Sequence, residues 1–431
     1  MESVKPGAIL FVVLIALPAW AQWPGIPGWL DLGAEYRLRY ETEDGRYRTG
    51  EAGSDQQLAH RTRLHLGLRR ALDPFRFVVE FEDARAQLTD AGSTVTSIHV
   101  RELSVLQLHA KLVSDSWLGG NLHTEIQFGR LTMDLGKRRL AARNLYRNTT
   151  NRFDGLRWSV AAPKRWSWQA FVVQPVVYGA PDLNRGRRQG YFWGAYWNDQ
   201  RRSVLRHDLY YLHLWESEKT AGARRRNLAT VGGRWHATPE AGWVYEVESA
   251  WQLGQSRGQG HFAHLQVAEF GHRWVSRWQP LLQFQYLYAS GDRDPNDTRN
   301  GAFDGLFGAR RFELGPTGIL SLYYRSNLNA PGARLVLKPL QSLEVSFIPR
   351  AYWLAASRDE WRGTGRRDRS GASGTHLGQC WEWVARWKTL GHWELEAGYV
   401  RFQTGEFVRR QVPGPATRGS NYLYLMSELR L

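Results

Sequence analysis

The sequence predicts an all-β chain: a transmembrane antiparallel β-barrel of about 18 strands, with long extracellular loops and short periplasmic turns. Three observations lead there. Apolar and polar residues alternate with period two through most of the 431 residues, and the connections between alternating segments are long and short by turns. Tryptophan is abundant, at 21 residues, although only 42% of the chain is hydrophobic. A soluble domain is closer to half apolar and poorer in tryptophan, and a disordered chain lacks aromatics. Beyond the N-terminus no stretch approaches the roughly 18 uncharged apolar residues of a membrane helix. Tryptophan and tyrosine rings, by contrast, settle where hydrocarbon meets headgroup.

Residues 1–21 read as a secretory leader, because Lys5 precedes an apolar run from Ala8 to Leu17 and Ala19-Trp20-Ala21 offers the small residues of a cleavage site. Residues 22–431 then form a single exported barrel domain. The whole chain carries 57 Lys and Arg against 41 Asp and Glu, and losing Glu2 and Lys5 with the leader keeps the net +16, which has no nucleic acid to meet in that compartment. Cys380 is the single cysteine, which excludes a disulfide framework.

The first strand is expected over 29–41, with Tyr36, Leu38 and Tyr40 on one face and Glu35, Arg37 and Arg39 on the other. In the second, 57–70, Thr62, Leu64, Leu66 and Leu68 oppose Arg61, Arg63, His65 and Arg69; in the third, 75–87, Phe75, Phe77, Val79 and Phe81 oppose Arg76, Glu80 and Glu82. The same test gives strands over 98–112, 122–131, 153–162, 166–174, 191–198, 203–216, 226–236, 243–253, 261–274, 278–291, 331–338, 341–357, 375–387, 392–403 and 420–431. Connections 42–56, 132–152 and 358–374 are long, whereas 71–74, 163–165 and 388–391 are short. Leu423, Leu425, Leu429 and Leu431 give the last strand an outward face that ends on the C-terminal residue. It resembles the terminal strand by which the barrel-assembly machinery recognises its clients, with leucine in the place of the commoner aromatic.

If the apolar faces meet lipid, parity turns Arg37, Arg39, Arg61, Arg63, Arg69, Arg101, Arg157, Arg350 and Arg386 into the lumen, with Glu80, Glu82, Glu246, Glu248, Glu344, Glu382 and Glu394 as partial partners. Guanidinium groups stay charged and bind carboxylates through a planar fork, so a ring of them selects anions. The structural alternative is that arginine and glutamate pair along the wall and hold its shape. Arg138, Arg139, Arg143, Arg147 and Arg152 crowd the 132–152 connection, which is expected to fold inward and narrow the pore; its alternative is a solvated surface loop. The basic stretch 358–369 suits contact with lipopolysaccharide.

Catalysis is not expected, since His207, Asp208 and His213 are the nearest cluster and no G-x-S-x-G elbow accompanies them. Asp292, Asp294 and Asn296, with Asp297, begin like a calcium loop but lack its glycine and distal glutamate. A polar turn is the reading, with a Ca²⁺ bracing an extracellular loop as the alternative and no other cofactor. Cys380 shares parity with Glu382 and reads as a small buried residue.

Several motifs resemble a known family. Gly129-Arg130, then Arg138-Arg139-Leu140, then Phe153-Asp154-Gly155-Leu156-Arg157 follow the order Gly-Arg, Arg-Leu, Phe-Asp-Gly-Val-Arg of the alginate export family of outer-membrane proteins. Glu82-Asp83-Ala84-Arg85, Arg101-Glu102, Asp208-Leu209-Tyr210-Tyr211-Leu212, the run Gly291 to Asp297 and Phe303-Asp304-Gly305-Leu306-Phe307 extend the likeness along the chain. The resemblance implies a monomeric eighteen-stranded channel in the outer membrane that passes an anionic uronate polymer through an arginine-lined constriction. It implies pore arginines at Arg37 or Arg39, Arg63, Arg101 and Arg325, held by Glu80, Glu82 and Asp83. Parity, loop and family readings together give Arg37, Arg39, Arg61, Arg63, Arg101, Arg130, Arg138, Arg139, Arg143, Arg157, Arg325 and Arg350 as pore and substrate-binding residues. One departure concerns the long periplasmic turn that plugs the alginate exporter before its penultimate strand, which here is only Lys388-Thr389-Leu390-Gly391. The rival expectation is therefore an open porin for small acidic sugars or other anions.

Overall fold

The computed structural model describes residues 26–431 except 52, 91, 92, 94, 120, 180, 181, 189, 203, 217–224, 390 and 413–418, so the expected leader lies outside the described residues. The strands are β1 (Leu30–Asp44), β2 (Asp55–Leu72), β3 (Phe75–Gln87), β4 (Arg101–Ser114), β5 (His123–Leu131), β6 (Phe153–Ala162), β7 (Trp166–Gly179), β8 (Asp182–Arg188), β9 (Tyr191–Asp199) and β10 (Arg206–Trp215). They continue as β11 (Arg226–Ala237), β12 (Gly242–Ser256), β13 (Gln259–Arg273), β14 (Leu281–Ala289), β15 (Arg299–Asn300), β16 (Leu328–Leu340), β17 (Leu343–Trp353), β18 (His376–Lys388), β19 (Trp393–Thr404) and β20 (Ser420–Arg430). Two short helices, α1 (Arg311–Leu314) and α2 (Glu406–Gln411), lie in loops.

Among the described residues β8 pairs with β7 alone and the two residues of β15 with β13 alone, so both belong to loops. The remaining strands make the wall, each antiparallel to the next, and β1 closes on β20 through Arg37↔Glu428 and Tyr40↔Leu425. Closure leaves no edge, and every backbone group along the ladder finds a partner without water. Each of the 18 segments expected from alternation falls on one wall strand. Their limits differ by a few residues at either end, most on the long-loop side. There β1 and β2 continue through Glu41↔Gln57 and Glu43↔Asp55, polar pairs that carry no apolar alternation to read.

The outward face is apolar and exposed, from Phe128 at 70% through Leu64, Val247, Phe270 and Phe284. A continuous surface of this kind is a lipid interface. Rings edge it at both rims: Trp243 stacks on Phe270 near one end, and Trp193 stacks on His213 at 4.1 Å near the other. One long-loop end is instead closed by a two-residue turn, Arg257-Gly258, where both φ angles are positive (55° and 84°). That conformation matches the twist of the flanking strands and favours glycine at its second position.

Candidate functional site

The inner wall of β1 to β4 presents Arg37, Arg39, Arg61, Arg63 and Arg101 to the 132–152 loop, which folds into the lumen across them. Arg37 donates to the Leu145 carbonyl at 2.5 Å and to the Arg147 carbonyl and Asn148 Oδ1 at 3.1 Å. Arg39 donates to the Tyr146 carbonyl, Arg61 to the carbonyls of Leu145 and Arg147, and Arg101 to that of Thr150 at 3.0 Å. Arg63 donates to the Thr150 hydroxyl, whose backbone N–H is held by Glu82 at 3.2 Å. The loop's carbonyls therefore point at guanidinium groups from three strands and fix its path by charge-assisted bonds.

Carboxylates beneath complete the arrangement. Glu35 meets Arg61 at 2.5 Å and Arg63 at 3.3 Å, Glu41 meets Arg39 at 2.6 Å, and Glu82 meets Arg63 at 3.1 Å and Arg152 at 2.9 Å. Arg143 pairs with Glu80 and donates to the Thr132 hydroxyl at 3.1 Å. Arg37, Arg39 and Arg61 are at most 1% exposed. Their donors meet the loop's carbonyls, and Arg39 and Arg61 are paired to carboxylates as well.

The other half of the loop reaches the opposite wall. Arg139 inserts between Glu246 and Glu248 of β12, at 2.5 Å from the former, with Glu269 of β13 at 3.7 Å. Its Nε meets Glu313 of the 290–327 loop at 2.5 Å, and Glu313 also receives Arg325 at 2.5 Å. Burial would raise the Glu313 carboxyl, but Arg139 and Arg325 outweigh it and bring the pKa to about 2. The backbones join as well: Ala142 N–H donates to the Phe307 carbonyl at 3.1 Å, Phe307 N–H to Leu140 at 2.9 Å, and Ala309 N–H to Arg138 at 2.8 Å. A side chain at Gly308 would overlap the Arg139 carbonyl. Arg350 of β17 donates to the Glu313 carbonyl and to Gln285 Oε1 at 2.5 Å. Arg311 of α1 meets Glu382 of β18 at 2.7 Å and the Tyr424 hydroxyl of β20 at 2.8 Å. Two loops thus cross the lumen as one body anchored on opposite walls.

The expected site residues do not all converge. Arg130 shares parity with the exposed Phe128 and forks onto Asp154 of β6, at 2.7 and 3.0 Å, on the outer side of the wall. Asp83 likewise shares the face of exposed Phe81 and pairs with Arg85 at 2.9 Å. Placing these two in the lumen is corrected: strand parity assigns them outward, and the family motif had overridden it. Arg138 occupies a left-handed turn (φ 64°) of the inserted loop, and Arg157 lies below it, 3.7 Å from Glu125. Arg69 sits toward the periplasmic end, 55% exposed beside Asp31. Asp294 accepts from Asn296 N–H at 3.2 Å, and Asp292 N–H donates to Asp359 at 2.9 Å, so the acidic run forms a turn. Among the described residues no group of three His, Cys, Asp or Glu side chains is placed to hold a metal. Glu35, Glu41, Glu313 and Arg311 were not foreseen. Glu35 and Glu41 had a signal in the parity they share with Arg37 and Arg39, whereas Glu313 and Arg311 lie in an aperiodic loop.

A profile for alginate export matches residues 28–420. No curated protein matches the chain. Among solved structures, Pseudomonas aeruginosa OccD3 (OpdP) is similar with a TM-score of 0.60 at 12% identity, covering 95% of this chain and 92% of that one. P. aeruginosa OccK8 (OprE) gives 0.61 at 11%, covering 93% and 98%, and Acinetobacter baumannii OccAB4 gives 0.60 at 9%, also covering 93% and 98%. At such identities these likenesses bear on the fold alone. The closed eighteen-stranded wall and the extent of the profile match place the chain in the outer membrane as a channel and not an enzyme: it belongs to the alginate export family.

Proposed function

We propose that the channel is anion-selective and passes an acidic, alginate-like polysaccharide. The observation that carries this is the charge where the inserted loop meets the wall of β1 to β4. Arg37, Arg39, Arg61, Arg63, Arg101, Arg143, Arg147 and Arg152 gather there against Glu35, Glu41, Glu80, Glu82 and Glu428. A fixed excess of guanidinium in a narrow, low-dielectric passage concentrates anions and repels cations. The family supports a polyuronate as the anion. A second reading, an open porin for small acidic sugars, is favoured by the short turn between Lys388 and Trp393, which leaves no segment there to plug the periplasmic mouth. The proposed lipopolysaccharide contact rests on Arg358 and Arg369, both exposed on the 354–375 loop; Arg366 and Arg367 instead brace loops through Gln411 and Asp359.

The test is single-channel conductance of the refolded barrel in a planar bilayer, with reversal potentials in a salt gradient and titration by mannuronate and guluronate oligomers. Anion-selective current blocked by the oligomers supports the polysaccharide reading. Anion current indifferent to them favours the small-solute porin, and cation preference sinks both.

A further inference from the structure

Between the 132–152 loop and the wall lies a pocket of about 110 Å³ whose polar lining is Ser97, Arg101, Arg147, Thr150, Asn151 and Arg152. Phe153, Val176 and Phe307 supply its apolar side. Three guanidinium groups meet here, and Glu82, 2.9 Å from Arg152 and 3.8 Å from Arg101, also serves Arg63. Arg147 has no carboxylate partner among the described residues. Its Nε donates to the Thr149 carbonyl at 3.0 Å and its Nη2 to Asn151 Oδ1 at 2.6 Å, while its Nη1 meets no described acceptor. A fourth guanidinium, that of Arg310, also lacks a carboxylate among the described residues; it stacks on the Tyr324 ring at 3.6 Å and donates to the Tyr323 carbonyl. Burial, then repulsion from Arg310, lowers the Arg147 pKa to about 10. Clustered guanidinium groups withdrawn from water are costly unless an anion joins them, and their forks match the oxygens of carboxylate and phosphate.

We infer that this pocket is an oxyanion site, taking one carboxylate or phosphate group and thereby fastening the 132–152 loop to the wall. Arg147 and Arg152 bind the anion, and Asn151, which donates to the carbonyls of Ala142 and Phe307, links its occupancy to the loop pair. Arg101, Arg147 and Arg152 also count toward the proposed anion selectivity, but the site does not depend on which solute passes, since a free inorganic anion and a uronate carboxylate present the same oxygens.

The test is calorimetric titration of the refolded barrel in detergent with inorganic phosphate, in a buffer free of other small anions. One saturable site per chain is expected, weakened tenfold or more by Arg147→Gln and unchanged by Arg201→Gln, which removes the same charge from a periplasmic turn. Ser97→Asp offers an internal carboxylate at the pocket and should also abolish binding while keeping every arginine. Heat-modifiable migration reports whether each variant has folded. In bilayers, phosphate that relieves block by a mannuronate tetramer identifies the polymer's carboxylate as a natural occupant, and phosphate that leaves block unchanged identifies a free anion. Absence of saturable phosphate binding, or binding indifferent to both Arg147→Gln and Ser97→Asp, overturns the site.

Discussion

Arg139 is the residue on which the lumen's internal structure turns, because one guanidinium answers Glu246, Glu248 and Glu313, with Glu269 just beyond. Arg139→Leu would leave those carboxylates facing one another in a poorly hydrated space. Removing one partner of a buried pair costs about 3–5 kcal/mol, and here the cost falls on loop docking, because the wall keeps its ladder. The expected outcome is a larger, noisier conductance with an unchanged heat-modifiable shift; a quiet current of wild-type size would show that the loops are held elsewhere. Glu313 adds a pH dependence. Its folded pKa, about 2, lies below the ordinary 4.5, so its stabilising contribution is present above about 4.5 and is lost as pH falls toward 2. Wild type and Glu313→Gln should therefore differ most in loop noise above pH 4.5 and converge below it. A gap that persists at pH 2 would remove Glu313 from the lock. Part of this was legible in the sequence. Parity turned Arg37, Arg39, Arg61 and Arg63 inward, and loop composition singled out Arg139, but nothing in either could tell that their donors would be spent on carbonyls of the loop.

At the scale of elements, wall and loops differ in how the sequence encodes them. A strand between lipid and lumen must alternate, so β2 or β12 declares itself in a dozen residues. The 290–327 loop has no period, and its function depends on contacts across more than 170 positions, as from Arg139 to Glu313. Its glycines were visible, yet their reason was not: Gly308 lies against Arg139, and Gly318 leaves room for the Glu41 carboxylate that accepts Ile319 N–H at 2.9 Å. If the inserted loops alone narrow the passage, replacing residues 134–148 with a short Gly-Ser linker should raise conductance several-fold and reduce anion preference. The barrel should still insert, since no wall strand is shortened. Unchanged conductance would place the constriction in the 290–327 loop.

For the molecule as a whole, the same closed sheet meets three environments, and its stability depends on keeping them apart. The outward face must stay apolar over the thickness of the hydrocarbon, but nothing requires this beyond the rims. Val247, 47% exposed, lies midway along β12, while Val275, 87% exposed, lies in the turn between β13 and β14. Arginine at the bilayer midplane of a barrel costs about 2–4 kcal/mol, and near the interface about 0–1. Val247→Arg should thus shift the urea midpoint for unfolding from lipid vesicles by the larger amount and Val275→Arg by almost none, although both add one charge to a chain of net +16. Equal shifts would mean that net charge, not depth, sets the penalty. A difference confined to Val247 would fix the height of β12 in the membrane, and with it the level at which Glu246 and Glu248, its inward neighbours, receive Arg139.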